Sequence, residues 1–140
     1  MADPALAAQL LVVDTDVLLS GRAVDPRVPR DGPLLGTLFE SLVTLSVRVY
    51  AQAVQASVSH LRTRGGEHEV DLIVERRDGR VVALEVKLAR AVDDRDVRHL
   101  RWLQATIGDR LLDSVVITTG GAAYRRQDGL AVVPAALLGP

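Results

Sequence analysis

Two short runs, Glu69-Val70-Asp71-Leu72-Ile73-Val74-Glu75 and Val81-Val82-Ala83-Leu84-Glu85-Val86-Lys87, alternate with a period of two. That period is the signature of half-buried strands, and the few residues between the runs join them as a hairpin. Pairing apolar with apolar sets Val70 against Val86, Leu72 against Leu84 and Val74 against Val82, all on one side. The same register sets Asp71 opposite Glu85 and Glu69 opposite Lys87 on the other side. Like charges opposed across strands repel, so something must offset them.

The turn decides whether that register is allowed. A two-residue Asp78-Gly79 turn would pair Asp71 with Val86 and mix the faces. A three-residue loop, Arg77-Asp78-Gly79, restores the match if Gly79 is left-handed in a bulge, a conformation that glycine adopts without steric cost.

With 140 residues, 48% of them hydrophobic, the chain is long enough for a real core, expected as one compact domain overall. Aromatic residues make up only 3%, so Leu, Val and Ala must fill that core. Lys and Arg number 17 against 18 Asp and Glu, which leaves no global field to hold nucleic acid; any basic contact must be local. The absence of cysteine excludes disulfides and thiolate zinc sites. No signal peptide or apolar run of about 18 residues is read, so the expected compartment is the cytoplasm, with no membrane.

Residues 3–20 read as one or two short helices, with Asp3 as N-cap before Pro4, and residues 21–32 as a Pro/Arg/Asp/Gly-rich linker. A long helix is predicted from Pro33 to Ala53, capped by Asp31 or Gly32, then a strand over residues 55–63. After the hairpin, Asp93 or Asp94 caps a helix to Ile107 that Gly108 ends. Strands over residues 112–119 and 130–133 follow, and Pro134 opens a last helical turn. The order α, β, β, β, α, β, β gives an α/β fold, a mixed sheet flanked by helices.

Between Pro33 and Val47 the only charged residue is Glu40. A helix so poor in charge is expected to be covered on most sides, and a buried, unpaired carboxylate costs several kcal/mol unless it is neutralised or binds a cation. Glu40 on the first long helix, Asp71 on the hairpin's first strand and Glu85-Val86-Lys87 on its second resemble the PD-(D/E)xK nuclease superfamily. The surrounding segments are more specific: Leu34 to Val43, Arg62 to Asp71, Leu84 to Lys87, Asp96-Val97-Arg98-His99-Leu100, and Val115 to Gly120. In order and spacing they resemble the domain-of-unknown-function 4143 family, the C-terminal part of predicted bacterial ATPases. Val70 stands where the superfamily usually has proline.

The resemblance implies a restriction-endonuclease-like fold over residues 33–140, behind a helical segment and linker over residues 1–32. It implies Mg²⁺ or Mn²⁺ held by Asp71, Glu85 and the Val86 carbonyl, with Glu40 acting directly or through water. The metal would polarise a phosphoryl oxygen, and Lys87 would orient the attacking water and stabilise the growing charge. No Gly-x-x-x-x-Gly-Lys-Ser/Thr occurs, so the expectation is a stand-alone or truncated C-terminal module. Arg62, Arg64, Arg98 and Arg101 are candidates for phosphate contacts, against the plainer reading of a solvated face. His60, His68 and His99 lack metal spacing and read as structural or exposed; Trp102 reads as core.

Two alternatives stay open. One is a catalytically silent module that binds nucleic acid or a separate ATPase or regulatory partner, in which Asp71 merely pairs with Lys87. The other is a PIN-type ribonuclease, suggested by Leu11-Val12-Val13-Asp14 with Asp14 as first metal ligand, although Thr118-Thr119-Gly120 lacks that fold's late aspartate.

Overall fold

The computed structural model describes residues 31–139. The expected helices over residues 3–20, the linker to residue 30 and the Asp14 segment lie outside them. The chain divides into two units, Met1–Leu45 and Ser46–Pro140. Helix α1 (Asp31–Ala53) crosses from the first to the second.

In the first unit, α1 carries Pro33 in its opening turn, where a missing N–H costs nothing. Glu40 is exposed on this helix, contrary to the expected burial, so its charge carries no burial cost. The Thr44 hydroxyl donates to the Glu40 carbonyl one turn back at 2.8 Å. Another expectation also needs correcting. Leu34–Ala53, 20 residues with a mean hydropathy of 1.3, is long and apolar enough by composition to cross a membrane. Gly, Ser and Thr break up the apolar run without making the helix polar.

The second unit begins with the last turns of α1, which end in a Schellman motif. The Ala56 N–H reaches the Ala51 carbonyl at 2.8 Å and the Gln55 N–H the Gln52 carbonyl at 3.1 Å, with Gln55 left-handed at φ 55°. Strands β1 (Ser57–Arg62), β2 (Glu69–Glu75) and β3 (Val81–Val86) follow, then α2 (Arg98–Ile107), β4 (Leu111–Thr118), a two-residue β5 (Tyr124–Arg125) and β6 (Ala131–Pro134). The strands form one sheet in the order β1-β2-β3-β4-β6-β5. β3, β4 and β6 are parallel, and the remaining neighbours are antiparallel. The fold is therefore α/β with a mixed sheet, and α2 is the crossover between parallel β3 and β4.

The hairpin has the expected register, with Leu72 paired to Leu84 and Val74 to Val82. Its loop is also the expected one: the Arg76 N–H meets the Arg80 carbonyl at 2.9 Å, leaving Arg77, Asp78 and Gly79 outside the ladder. Gly79 is left-handed at φ 78°.

The faces differ from expectation at Val70. Ser59 pairs with Ile73 but Leu61 with Val70, so three steps along β2 face two along β1: a β-bulge. The extra residue resets the alternation, and Val70 joins Ala83, Val97, Leu100, Leu103, Val116 and Leu130 in the core under α2. Leu84, Val82 and Val74 instead line a groove with Val47, Tyr50 and Ala51 from the last turns of α1. Trp102 packs half-buried against the α2-side cluster.

Helix α2 also starts later than expected. Asp93 accepts from the Arg95 and Asp96 N–H groups, and Asp96 accepts from the Asp93 N–H at 2.9 Å. This reciprocal box closes a turn ahead of the helix, whose N-cap position, Val97, has no side-chain cap. Gly108, at φ 53°, ends α2 as expected.

Candidate functional site

β3 is the third of six strands, and both its edges are paired, with β2 and with β4. Ala83, Leu84 and Glu85 are all buried. For Ala83 and Leu84 that burial is favourable; for Glu85, only 5% exposed, it is not. Its Oε1 has no hydrogen-bond partner. Glu85 lies beside Val116 of β4, with Asp71 on its other side. Carried one residue past the Leu72–Leu84 pair, the hairpin register sets Asp71 against Glu85, and the two carboxyl groups share a hydrogen bond.

Asp71 also takes a backbone donor, the Val86 N–H at 2.8 Å. Burial above all, then the Asp71 charge and hydrogen bond, push the Glu85 carboxyl up to about 9, with Glu69 adding to the rise and Lys87 opposing it. At neutral pH Glu85 is protonated in the absence of a cation.

Lys87 continues β3, its N–H donating to the Ile117 carbonyl at 2.8 Å. Its ammonium lies 3.6 Å from Asp96 in the turn before α2. The alternative pairing of Lys87 with Asp71 is thus replaced by one with Asp96. The sequence held no local signal for this contact, because a loop of backbone, and not a strand register, brings the two residues together.

A model of the family described as a domain of unknown function (DUF4143) matches residues 35–138. The chain belongs to this family. No curated protein matches the chain.

In this DUF4143 domain, Asp71, Glu85 and Lys87 come together at one end of β3, with Glu69 close enough to act on Glu85. Glu40 belongs to the other unit. Among the described residues, no group of three or more His, Asp or Glu side chains is arranged to hold a metal ion. Two carboxylates, one with an orphaned buried oxygen, still suit a hard divalent cation in kind, since magnesium keeps several waters in its shell.

Of the four arginines singled out, Arg62 and Arg64 are exposed at the end of β1 and in the turn after it. Arg98 donates to His99, and Arg101 is held between Asp94 and Asp128. Sequence reasoning missed the ring cluster beside them. The His68 ring stacks on Trp102, with centroids 4.1 Å apart and planes 7° from parallel, and meets His99 edge-on. The one available signal was the recurrence of Asp96 to Leu100 among the segments that resemble the family.

Proposed function

We propose that this DUF4143 domain carries a divalent-metal phosphodiesterase centre of the PD-(D/E)xK type, acting on nucleic acid in the cytoplasm. Asp71 and Glu85 are its ligands together with the Val86 carbonyl, Lys87 is its ammonium, and Glu40 is a third carboxylate assigned on the family resemblance alone. One observation carries the reading. Glu85 is a buried acid with an unpartnered oxygen, set against a second carboxylate, and nothing in the packing of β3 requires an acid there. A divalent cation would satisfy the orphaned oxygen, cancel the repulsion and act as a Lewis acid on a phosphoryl oxygen. Asp71 is oriented by the Val86 N–H. Lys87, partly exposed and paired with Asp96 in the resting site, would exchange that carboxylate for phosphate oxygens.

The test is cleavage of DNA and RNA with Mg²⁺ or Mn²⁺. The expected result is metal-dependent cleavage that falls at least 100-fold in Lys87→Ala. Absence of cleavage with either metal on either substrate would remove the catalytic reading.

A second reading has its own support. A protonated Glu85 hydrogen-bonded to Asp71 closes the pair on itself without a cation, as a silent module binding nucleic acid or an ATPase or regulatory partner would have it. The two readings part on whether metal displaces that proton.

A further inference from the structure

We infer that His99, Arg98 and His68 form an anion subsite beside the Asp71–Glu85 pair, which accepts a phosphodiester of nucleic acid and takes up a proton as it does so. The identity of the anion rests on the function proposed above; the subsite itself needs no cleavage.

His99 stands in the first turn of α2 with both ring nitrogens engaged. Arg98 Nε donates to its Nε2 at 3.0 Å. A neutral ring that accepts at Nε2 carries its proton on Nδ1, and that nitrogen faces His68 Nδ1 at 3.4 Å. His68 cannot turn freely, because its ring lies flat on Trp102. The resting arrangement is therefore a directed chain, from guanidinium to His99 to His68, with no place for an added proton. Protonating Nε2 would expel the Arg98 donor and set two cations side by side.

The surroundings act in the same sense. Arg98 on the same helix, His68 ahead of β2 and Lys87 after β3 all oppose a positive His99, and only Glu69 at the start of β2 favours it. Together with burial, the largest cause, they hold the imidazole below its ordinary value of 6.5. Asp96, an acid in the turn before α2, is engaged by Lys87.

An anion reverses each of these effects. Arg98 is exposed and can turn its guanidinium onto a phosphate oxygen, where Arg forms its strongest hydrogen bonds. That movement frees Nε2 of His99, which binds a proton and donates to the same phosphate. Two adjacent donors then converge on one anion, with Lys87 as a third cation nearby. A phosphodiester does not itself titrate near neutrality, so any proton taken up must sit on the protein.

The experiment is calorimetric binding of a short single-stranded oligonucleotide, with EDTA present, in two buffers of different ionisation heat at pH 7.0 and pH 6.0. The expected result is uptake approaching one proton per bound strand at pH 7.0, with binding about tenfold tighter one pH unit lower. His99→Gln should abolish the uptake and flatten the pH dependence. Arg98→Gln, at an exposed position that does not threaten folding, should weaken binding at both pH values. Binding without proton uptake, undiminished uptake in His99→Gln, or no binding at all would each overturn the inference. Linked uptake in a protein that cleaves nothing would sustain the subsite and remove the nuclease reading. Cleavage without linked uptake would do the reverse.

Discussion

Glu85 is the residue on which the site turns, and its burial has a signed consequence for stability. Its carboxyl, ordinarily at 4.5, is pushed up to about 9 in the folded chain, so the folded state holds a proton that the unfolded state has released between those limits. Folding stability contributed by this group is therefore full below pH 4.5 and is lost as pH rises towards 9. At about 1.36 kcal/mol per unit, the loss between pH 4.5 and 7 is on the order of 3 kcal/mol, an upper figure because structural relaxation reduces it. Glu85→Gln keeps the shape and removes the titration. Without metal it is expected to be more stable than wild type at pH 8 and nearly equal at pH 4.5, by denaturant unfolding at the two pH values. A variant that loses stability equally at both would mean that the acid makes a structural contact. Leu100 offers the opposite case, an apolar side chain 0% exposed under the sheet. Leu100→Ala should cost about 2–5 kcal/mol by the same measurement, with no pH dependence.

Among the elements, the end of α1 carries a strain that a single substitution can relieve. Gln55 occupies the left-handed position of the Schellman motif, where a side chain with a Cβ costs roughly 1 kcal/mol relative to glycine. Gln55→Gly should stabilise the fold by about that much, and Gln55→Ala should not; an equal gain from both would point to the glutamine side chain instead. The hairpin shows what the sequence made legible. Its register and its three-residue loop follow from parity alone, because only one pairing keeps Leu72 with Leu84 and Val74 with Val82. The bulge opposite β1 was not legible, since the residue pattern of β2 alternates without a break and nothing in it marks where the extra residue shifts the faces. For the same reason Val70 was assigned to the wrong face. The delayed start of α2 was hidden because a reciprocal Asp93–Asp96 box reads alike before a helix and before an isolated turn. Within the site, Asp71 and Glu85 were visible as opposed charges. Asp96 and the stacked His68 were not, because loop closure carries them to the end of β3.

For the molecule as a whole, the topology explains why chemistry would gather at this end. β3 and β4 are parallel, so the chain must leave β3, cross by α2 and return. The crossover brings Asp96 and His99 past the carboxyl end of β3, the region where ligands usually bind open α/β sheets. Burial and the neighbouring Asp71 and Glu69 keep Glu85 protonated there, with Lys87 opposing them, so a cation that binds the pair must displace that proton. A cation bound only by the folded state adds RT ln(1 + [L]/Kd), about 2.7 kcal/mol at roughly 100 times Kd, which raises the melting temperature of a chain this size by several degrees. Asp71→Asn separates the possibilities most sharply, because an asparagine oxygen can still accept the Val86 N–H while the charge is gone. The decisive measurement is therefore the melting temperature of wild type and Asp71→Asn, each with and without Mg²⁺ or Mn²⁺ at neutral pH. The account predicts that metal raises the wild-type value by several degrees, and that metal-free Asp71→Asn melts at or above metal-free wild type and ignores metal. Wild-type melting unchanged by either ion, together with a lower value for Asp71→Asn, would contradict it and leave the aspartate as a structural partner of the Val86 backbone.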